Sequence, residues 1–275
     1  MLLDARNSGE VQDSISADIA IVGAGTVGLL LATRLARAGR DVAVIEGGGV
    51  VAGTQGNADT AASVGKPHEG VLMSRASGLG GTSVLWGGQL AEFDEADLSL
   101  PGFEWPLSHA ELRRLYDETY RIFGLDGLRA LEQSRLALGR EPDSPHDVER
   151  FFTRWLPQPN FAMVFRREIE APNLRIIVNA PVSRMSFDGS RLSSIGATSA
   201  GRDIEVRANR FVFATGTIPT SRFFLAMQRR PGIPWKDNAQ VGRYSRTTWA
   251  ERSPTSRSPT SVASGNSSRT GSSTA

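Results

Sequence analysis

The chain of 275 residues has no cysteine, only three histidines, and no apolar run of the roughly 18 residues that a membrane-spanning helix needs. The first absence excludes disulfides and thiolate metal sites. The histidines, His68, His109 and His146, stand in no metal-ligand spacing. The opening stretch MLLDARNSGEVQDS lacks the apolar core of a signal peptide, so a cytoplasmic protein is expected. A large charge of one sign is also missing. The net charge is +2, and residues 245–275 alone hold four Arg against one Glu, which leaves −1 for the rest. A nearly neutral body argues against nucleic acid as a partner.

What the chain does have is a 40% hydrophobic content, enough for a buried core, and glycines placed in clusters. Residues 18–22 (DIAIV) form a short apolar run that predicts a buried parallel strand. Leu29–Ala38 has helical periodicity, and Gly39 fits its C-terminal cap. Residues 41–45 (DVAVI) predict a second buried strand that ends at Glu46, completing a βαβ unit. Further on, Ser108–Phe123 predicts an amphipathic helix capped by Ser108. Residues 173–187, 191–199 and 203–207 alternate like strands of a small sheet. Arg210–Ala214 predicts another apolar strand, followed by Thr215-Gly216 and a helix from Pro219 to Arg229. The expected fold class is α/β. A Rossmann-like dinucleotide-binding domain (parallel sheet with helices) spans 17–91 and 208–244, a partial α+β substrate or cap region spans 92–207, and residues 1–16 form a flexible N-terminus.

The first chemical signal is Gly23-Ala24-Gly25-Thr26-Val27-Gly28, a G-x-G-x-x-G run. It follows a strand, opens a helix and is followed by an acidic residue at the end of the next strand, which is the context that gives the motif meaning. Gly23 permits the tight turn, Gly25 lets backbone approach a pyrophosphate, and Gly28 lets the helix lie close to the strand. The helix start at Thr26 then offers amide N–H groups and a partial positive charge to the phosphates. Glu46, eighteen residues past Gly28, is expected to accept hydrogen bonds from the adenosine ribose, and its charge disfavours a 2′-phosphate. This unit alone leaves NAD and FAD both open.

The second signal separates them. Arg75-Ala76-Ser77-Gly78, continuing into Gly80-Gly81-Thr82-Ser83-Val84-Leu85-Trp86-Gly87-Gly88, resembles the GG(T/S)SxxWGG loop of the glucose–methanol–choline (GMC) oxidoreductases, nearest to pyranose oxidases and sugar or polyol dehydrogenases. In that family the loop passes along the pyrophosphate and flavin ring of FAD. Consecutive glycines, Gly87 among those of the loop, let N–H groups face phosphate or flavin, Thr82 and Ser83 offer hydroxyls, and Trp86 offers a flat wall. Asn179-Ala180-Pro181-Val182 resembles the segment where a valine backbone meets the adenine. Phe211 to Pro219, with Ala214 and Gly216, resembles the strand-turn-helix that closes over the dinucleotide, and Arg222 to Leu225 sit on its helix. The resemblance covers about residues 17–244. Some relatives tether FAD through a histidine just before the Trp; Leu85 stands there, so FAD is expected to be non-covalent.

The resemblance implies a small-molecule alcohol or sugar as substrate, oxidised by hydride transfer to the flavin, with oxygen, a quinone or a cytochrome left open as electron acceptor. The family's proton-abstracting histidine lies near the end of a chain of about 500 residues. His68, His109 and His146 match no such position, so no catalytic residue is assigned and the chain is expected to be inactive by itself. Where the family continues as VGRYFQDHL, Val241-Gly242-Arg243-Tyr244 runs into SRTTWAER. Residues 245–275 hold sixteen Ser or Thr and are expected to be disordered. A frameshift just after Tyr244 is the favoured explanation, and a natural Ser/Thr/Arg-rich linker is the alternative. Two competing functional classes stay open beside the enzyme: a non-catalytic FAD-binding remnant and an NAD-dependent dehydrogenase.

Overall fold

The computed structural model describes residues 1–7, 9–54, 73–99, 105–127, 153–230 and 232–243. Strand β3 (Val42–Ile45), between β1 (Leu2–Asp4) and β2 (Ser14–Val22) earlier in the chain and the rest later, buries all four of its side chains. A strand without an exposed face needs cover on both sides. The sheet around it also contains β6 (Leu174–Val178), β7 (Val182–Asp188), β8 (Arg191–Ser199) and β9 (Arg202–Phe213), while β4 (Gln89–Leu90) and β5 (Arg154–Trp155) form a separate ladder. Across the seven-stranded sheet the order is β1-β6-β3-β2-β9-β8-β7. The five strands from β1 to β9 pair in parallel, and β9, β8 and β7 pair antiparallel.

Alternation along each strand divides the core into two faces. Val42 and Val44 join Ile21, Ile176 and Val178 beneath helix α1 (Thr26–Arg37), which contributes Leu29, Ala32 and Ala36. Ala43 and Ile45 point the other way, into a cluster with Ile177, Ile195, Ile204 and Val206 that Met227 of the last helix, α5 (Thr217–Gln228), helps to cover. Each fully buried branched side chain contributes on the order of 2 kcal/mol. Among the described residues the further α-helices are α2 (Glu95–Leu98), α3 (His109–Ile122) and α4 (Phe161–Val164). The expected α3 forms with its capping box: Ser108 Oγ accepts from the Glu111 N–H, and the Glu111 carboxylate accepts from the Ser108 N–H.

Three sequence expectations change. Residues 1–16 are not a loose extension: Leu2–Asp4 pairs with Ile176–Val178, and Ala5, Val11 and Ile15 are buried. Polar neighbours hid this short edge strand. The expected small sheet does not stand apart either. β6 inserts between β1 and β3, and β7 and β8 extend the same sheet through β9, so the strands of residues 174–207 share one sheet with the βαβ unit. Finally, 203–207 and 210–214 are one strand, β9, which pairs with β8 at its start and with β2 along Glu205–Phe213. The tail over 245–275, His68 and His146 lie outside the described residues. No helix among the described residues is long and apolar enough to cross a membrane.

Candidate functional site

β2 ends at Val22 and the chain turns at Gly23, whose φ is +103°. That conformation suits glycine. A Cβ at Gly23 would also lie 2.7 Å from the Ala214 carbonyl oxygen, just past the end of β9. A Cβ at Gly28 would lie 1.9 Å from the Gly23 carbonyl oxygen. The third glycine of the motif is thus required by the closeness of helix to turn. Helix α1 starts after Gly25 with no side-chain cap and no acidic residue in its first turn. Its leading amides and the positive end of its dipole suit an anion.

The second glycine-rich stretch packs directly on the first. The Gly80 N–H donates to the Ala24 carbonyl at 2.9 Å. Gly81 has φ +53°, and a Cβ there would lie 2.7 Å from the Gly25 Cα. Gly78 has φ +125° and sits so close to Gly48 that a Cβ on Gly48 would fall 2.4 Å from the Gly78 nitrogen. Two motifs far apart in sequence therefore pack backbone against backbone.

Glu46 lies at the junction and is 7% exposed. One carboxylate oxygen accepts from the Ala24 N–H at 2.7 Å; the other accepts from the N–H groups of Gly48 at 2.8 Å and Gly78 at 3.0 Å. The sequence assigned this carboxylate to ribose alone. The structure spends it mostly on backbone: of its roughly four acceptor positions, about one is left.

The other expected residues fall into two groups. Ala214 lies against Gly23, and Gly216 opens α5 with φ +82° and no atom within 4 Å of the Cβ position. Val182 begins β7 next to Pro181, which packs 3.6 Å from the Cβ position of Gly47. Thr82 is exposed, and its hydroxyl oxygen accepts from the Ala76 N–H at 3.3 Å. Gly87 is exposed and faces Trp155, whose ring would lie 3.0 Å from a Cβ there. Two residues act differently from expectation. Ser83 is buried, donates to the Gly80 carbonyl at 2.6 Å and accepts from the Phe161 N–H at 3.0 Å, so its hydroxyl fastens the loop to α4. The Trp86 indole N–H donates to the Pro159 carbonyl at 2.9 Å, and its ring packs toward Phe161, 6.2 Å between centroids.

Sequence reasoning passed over Gly48, which is crowded against Gly78, and Asn160, which caps α4 and crowds Gly80. The triple Gly47-Gly48-Gly49 was the available signal for the first. Beyond the loop, β4 pairs with β5, and the Leu156 N–H donates to the Gly88 carbonyl at 2.8 Å. There the Tyr120 hydroxyl donates to Glu92 at 2.5 Å, and the Arg154 guanidinium lies 3.8 Å above the Tyr120 ring. Burial first, and then Glu92, push the Tyr120 phenol up to about 12.

A family model described as FAD dependent oxidoreductase (DAO) matches residues 18–267. A comparison with curated proteins finds no match. Among solved structures, the chain is similar to a pyridoxine 4-oxidase from Mesorbium loti, at 16% identity and a TM-score of 0.46 over 74% of this chain and 50% of that one. It is also similar to a fungal aryl-alcohol oxidase, at 17% identity and 0.48 over 77% and 47%. A formate oxidase gives 16% and 0.48 over 78% and 48%. The chain spans about half the length of these structures. The family match takes in the first glycine motif, Glu46, the second glycine-rich loop and the Ala214–Gly216 turn, and the chain belongs to the FAD dependent oxidoreductase family.

Proposed function

We propose that this chain binds FAD non-covalently as a GMC-type oxidoreductase acting on the CH–OH group of an alcohol, sugar or polyol. The observation that carries this is the contact between Gly25 and Gly81, which packs the GGTSVLWGG loop directly onto the G-x-G-x-x-G turn. A plain dinucleotide turn needs only the first motif. The second, placed over it, resembles the GMC loop that follows the pyrophosphate toward the flavin.

Within this reading the amides at the start of α1, beside Gly25 and Thr26, bind the pyrophosphate. Glu46 accepts from the adenosine ribose with its remaining acceptor position. The backbone at Val182 borders the adenine. Gly80, Gly81 and Thr82 border the flavin side, Trp86 and Gly87 shape the loop's far end, and Ala214 and Gly216 close the turn opposite. The bound cofactor supplies the hydride acceptor for the CH–OH carbon. No described side chain is assigned as the proton acceptor.

The test is reconstitution of the full chain with FAD followed by removal of free ligand. Retained absorbance at about 450 nm, released as intact FAD on denaturation, is expected. Gly25→Val should abolish retention. A chain that retains NAD and no flavin would overturn the assignment. Reduction of a dye acceptor across a panel of alcohols, sugars and polyols would support the CH–OH substrate class.

A further inference from the structure

We infer that Glu46 is a positioning residue that latches the second glycine-rich loop onto the first. Three backbone amides from three separate segments converge on its carboxylate: Ala24 in the first turn, Gly48 after β3 and Gly78 at the entry to the second loop. No other side chain among the described residues receives hydrogen bonds from all three of these segments. The loop is also tied to this region by backbone bonds: the Gly80 N–H donates to the Ala24 carbonyl and the Leu79 N–H to the Gly49 carbonyl, each at 2.9 Å, and Ser77 and Gly53 exchange a reciprocal pair at 2.9 and 3.0 Å.

The geometry makes the latch specific. The Gly48 and Gly78 N–H groups aim at the same oxygen, Oε1, and their segments approach within a distance that admits no Cβ. An anionic acceptor satisfies two convergent donors, whereas an amide nitrogen in that place would oppose them. A glutamine can offer its single oxygen to Ala24 or to the glycine pair, never to both. Glu46 therefore governs where Gly80 and Gly81 sit, in addition to any contact of its own with a ligand. The ligand arm of the test rests on the FAD assignment above; the exchange arm does not.

The experiment uses the full chain as wild type, Glu46→Gln and Gly48→Ala. The alanine drives a wedge between Gly48 and Gly78 while leaving the carboxylate intact. Amide hydrogen exchange is followed at Ala24, Gly78 and Leu79, with Ile21 and Val44 in the central strands as internal references. In Gly48→Ala exchange at Gly78 and Leu79 should accelerate about tenfold or more, and in Glu46→Gln exchange should accelerate likewise at Ala24 or at Gly78, whichever the single oxygen leaves, while the references keep their protection. A general loss of stability would move all of these together. FAD and ADP are titrated in parallel. Gly48→Ala should lower FAD affinity about tenfold and ADP affinity by less, because ADP lacks the flavin half that Gly80, Gly81 and Thr82 border in this reading. Unchanged exchange at Gly78 in both variants, or an equal fall for FAD and ADP in Gly48→Ala, overturns the latch. If the wild-type chain binds no FAD, the proposed function falls, and exchange alone decides the latch.

Discussion

Replacing Ser83 with alanine separates a structural hydroxyl from a ligand-binding one. The side chain is buried and carries two hydrogen bonds, to the Gly80 carbonyl at 2.6 Å and from the Phe161 N–H at 3.0 Å. Alanine leaves the Phe161 N–H unpaired in the interior, which costs about 1–3 kcal/mol, and the lost bond to Gly80 adds about 1 kcal/mol. The expected destabilisation is about 2–4 kcal/mol, a large part of the 5–15 kcal/mol typical of a whole domain. Thr82→Ala, at an exposed neighbour, should change stability by less than about 1 kcal/mol. The assay is urea unfolding followed by circular dichroism, with FAD titration run beside it. The reasoning fails if Ser83→Ala keeps the wild-type unfolding midpoint while FAD affinity drops tenfold, since the hydroxyl would then serve the ligand.

Other perturbations test other contacts. Gly28→Ala places a Cβ 1.9 Å from a backbone oxygen that cannot swing aside, so a cost of about 3 kcal/mol or more, seen as loss of soluble folded protein, is expected. Asn160→Ala removes the oxygen that caps α4 through the Ala162 N–H at 2.9 Å and should lower stability by about 1 kcal/mol in denaturant titrations. Tyr120 should ionise near 12 in an alkaline absorbance titration, later than an ordinary phenol. Folding raises this pKa, so the associated stability is present below pH 10 and is lost between about pH 10 and 12; Tyr120→Phe should remove the late step.

The glycines of the nucleotide turn were legible because each reports a local steric demand. Gly23 and Gly28 answer to atoms of the same turn or of the strand beside it, and a motif with fixed spacing encodes that directly. The protein contacts of Ser83 and Trp86 were not legible for the opposite reason. Their partners, Phe161 and Pro159, lie more than seventy residues away, and no spacing rule connects them. β6 was placed in the wrong sheet because Arg175 interrupts its apolar run. In the structure that side chain reaches out to Asp41 and the Ser16 carbonyl, so a buried strand carries a charged letter. β9 was divided in two by its polar middle, Arg207 to Arg210, although the backbone runs on without a break.

The unbroken course of β9 limits how the protein can vary. Its first residues are shared with β8, and its last residue leads into Ala214, whose carbonyl fixes the room left for Gly23. Deleting one residue between Arg207 and Arg210 would turn Phe211, Val212 and Phe213 to the opposite faces and retract Ala214 from the turn. Chain-length changes in homologues should therefore collect at the hairpin tips around Gly189 and Gly201, where an added Cβ would meet open space, and spare this strand.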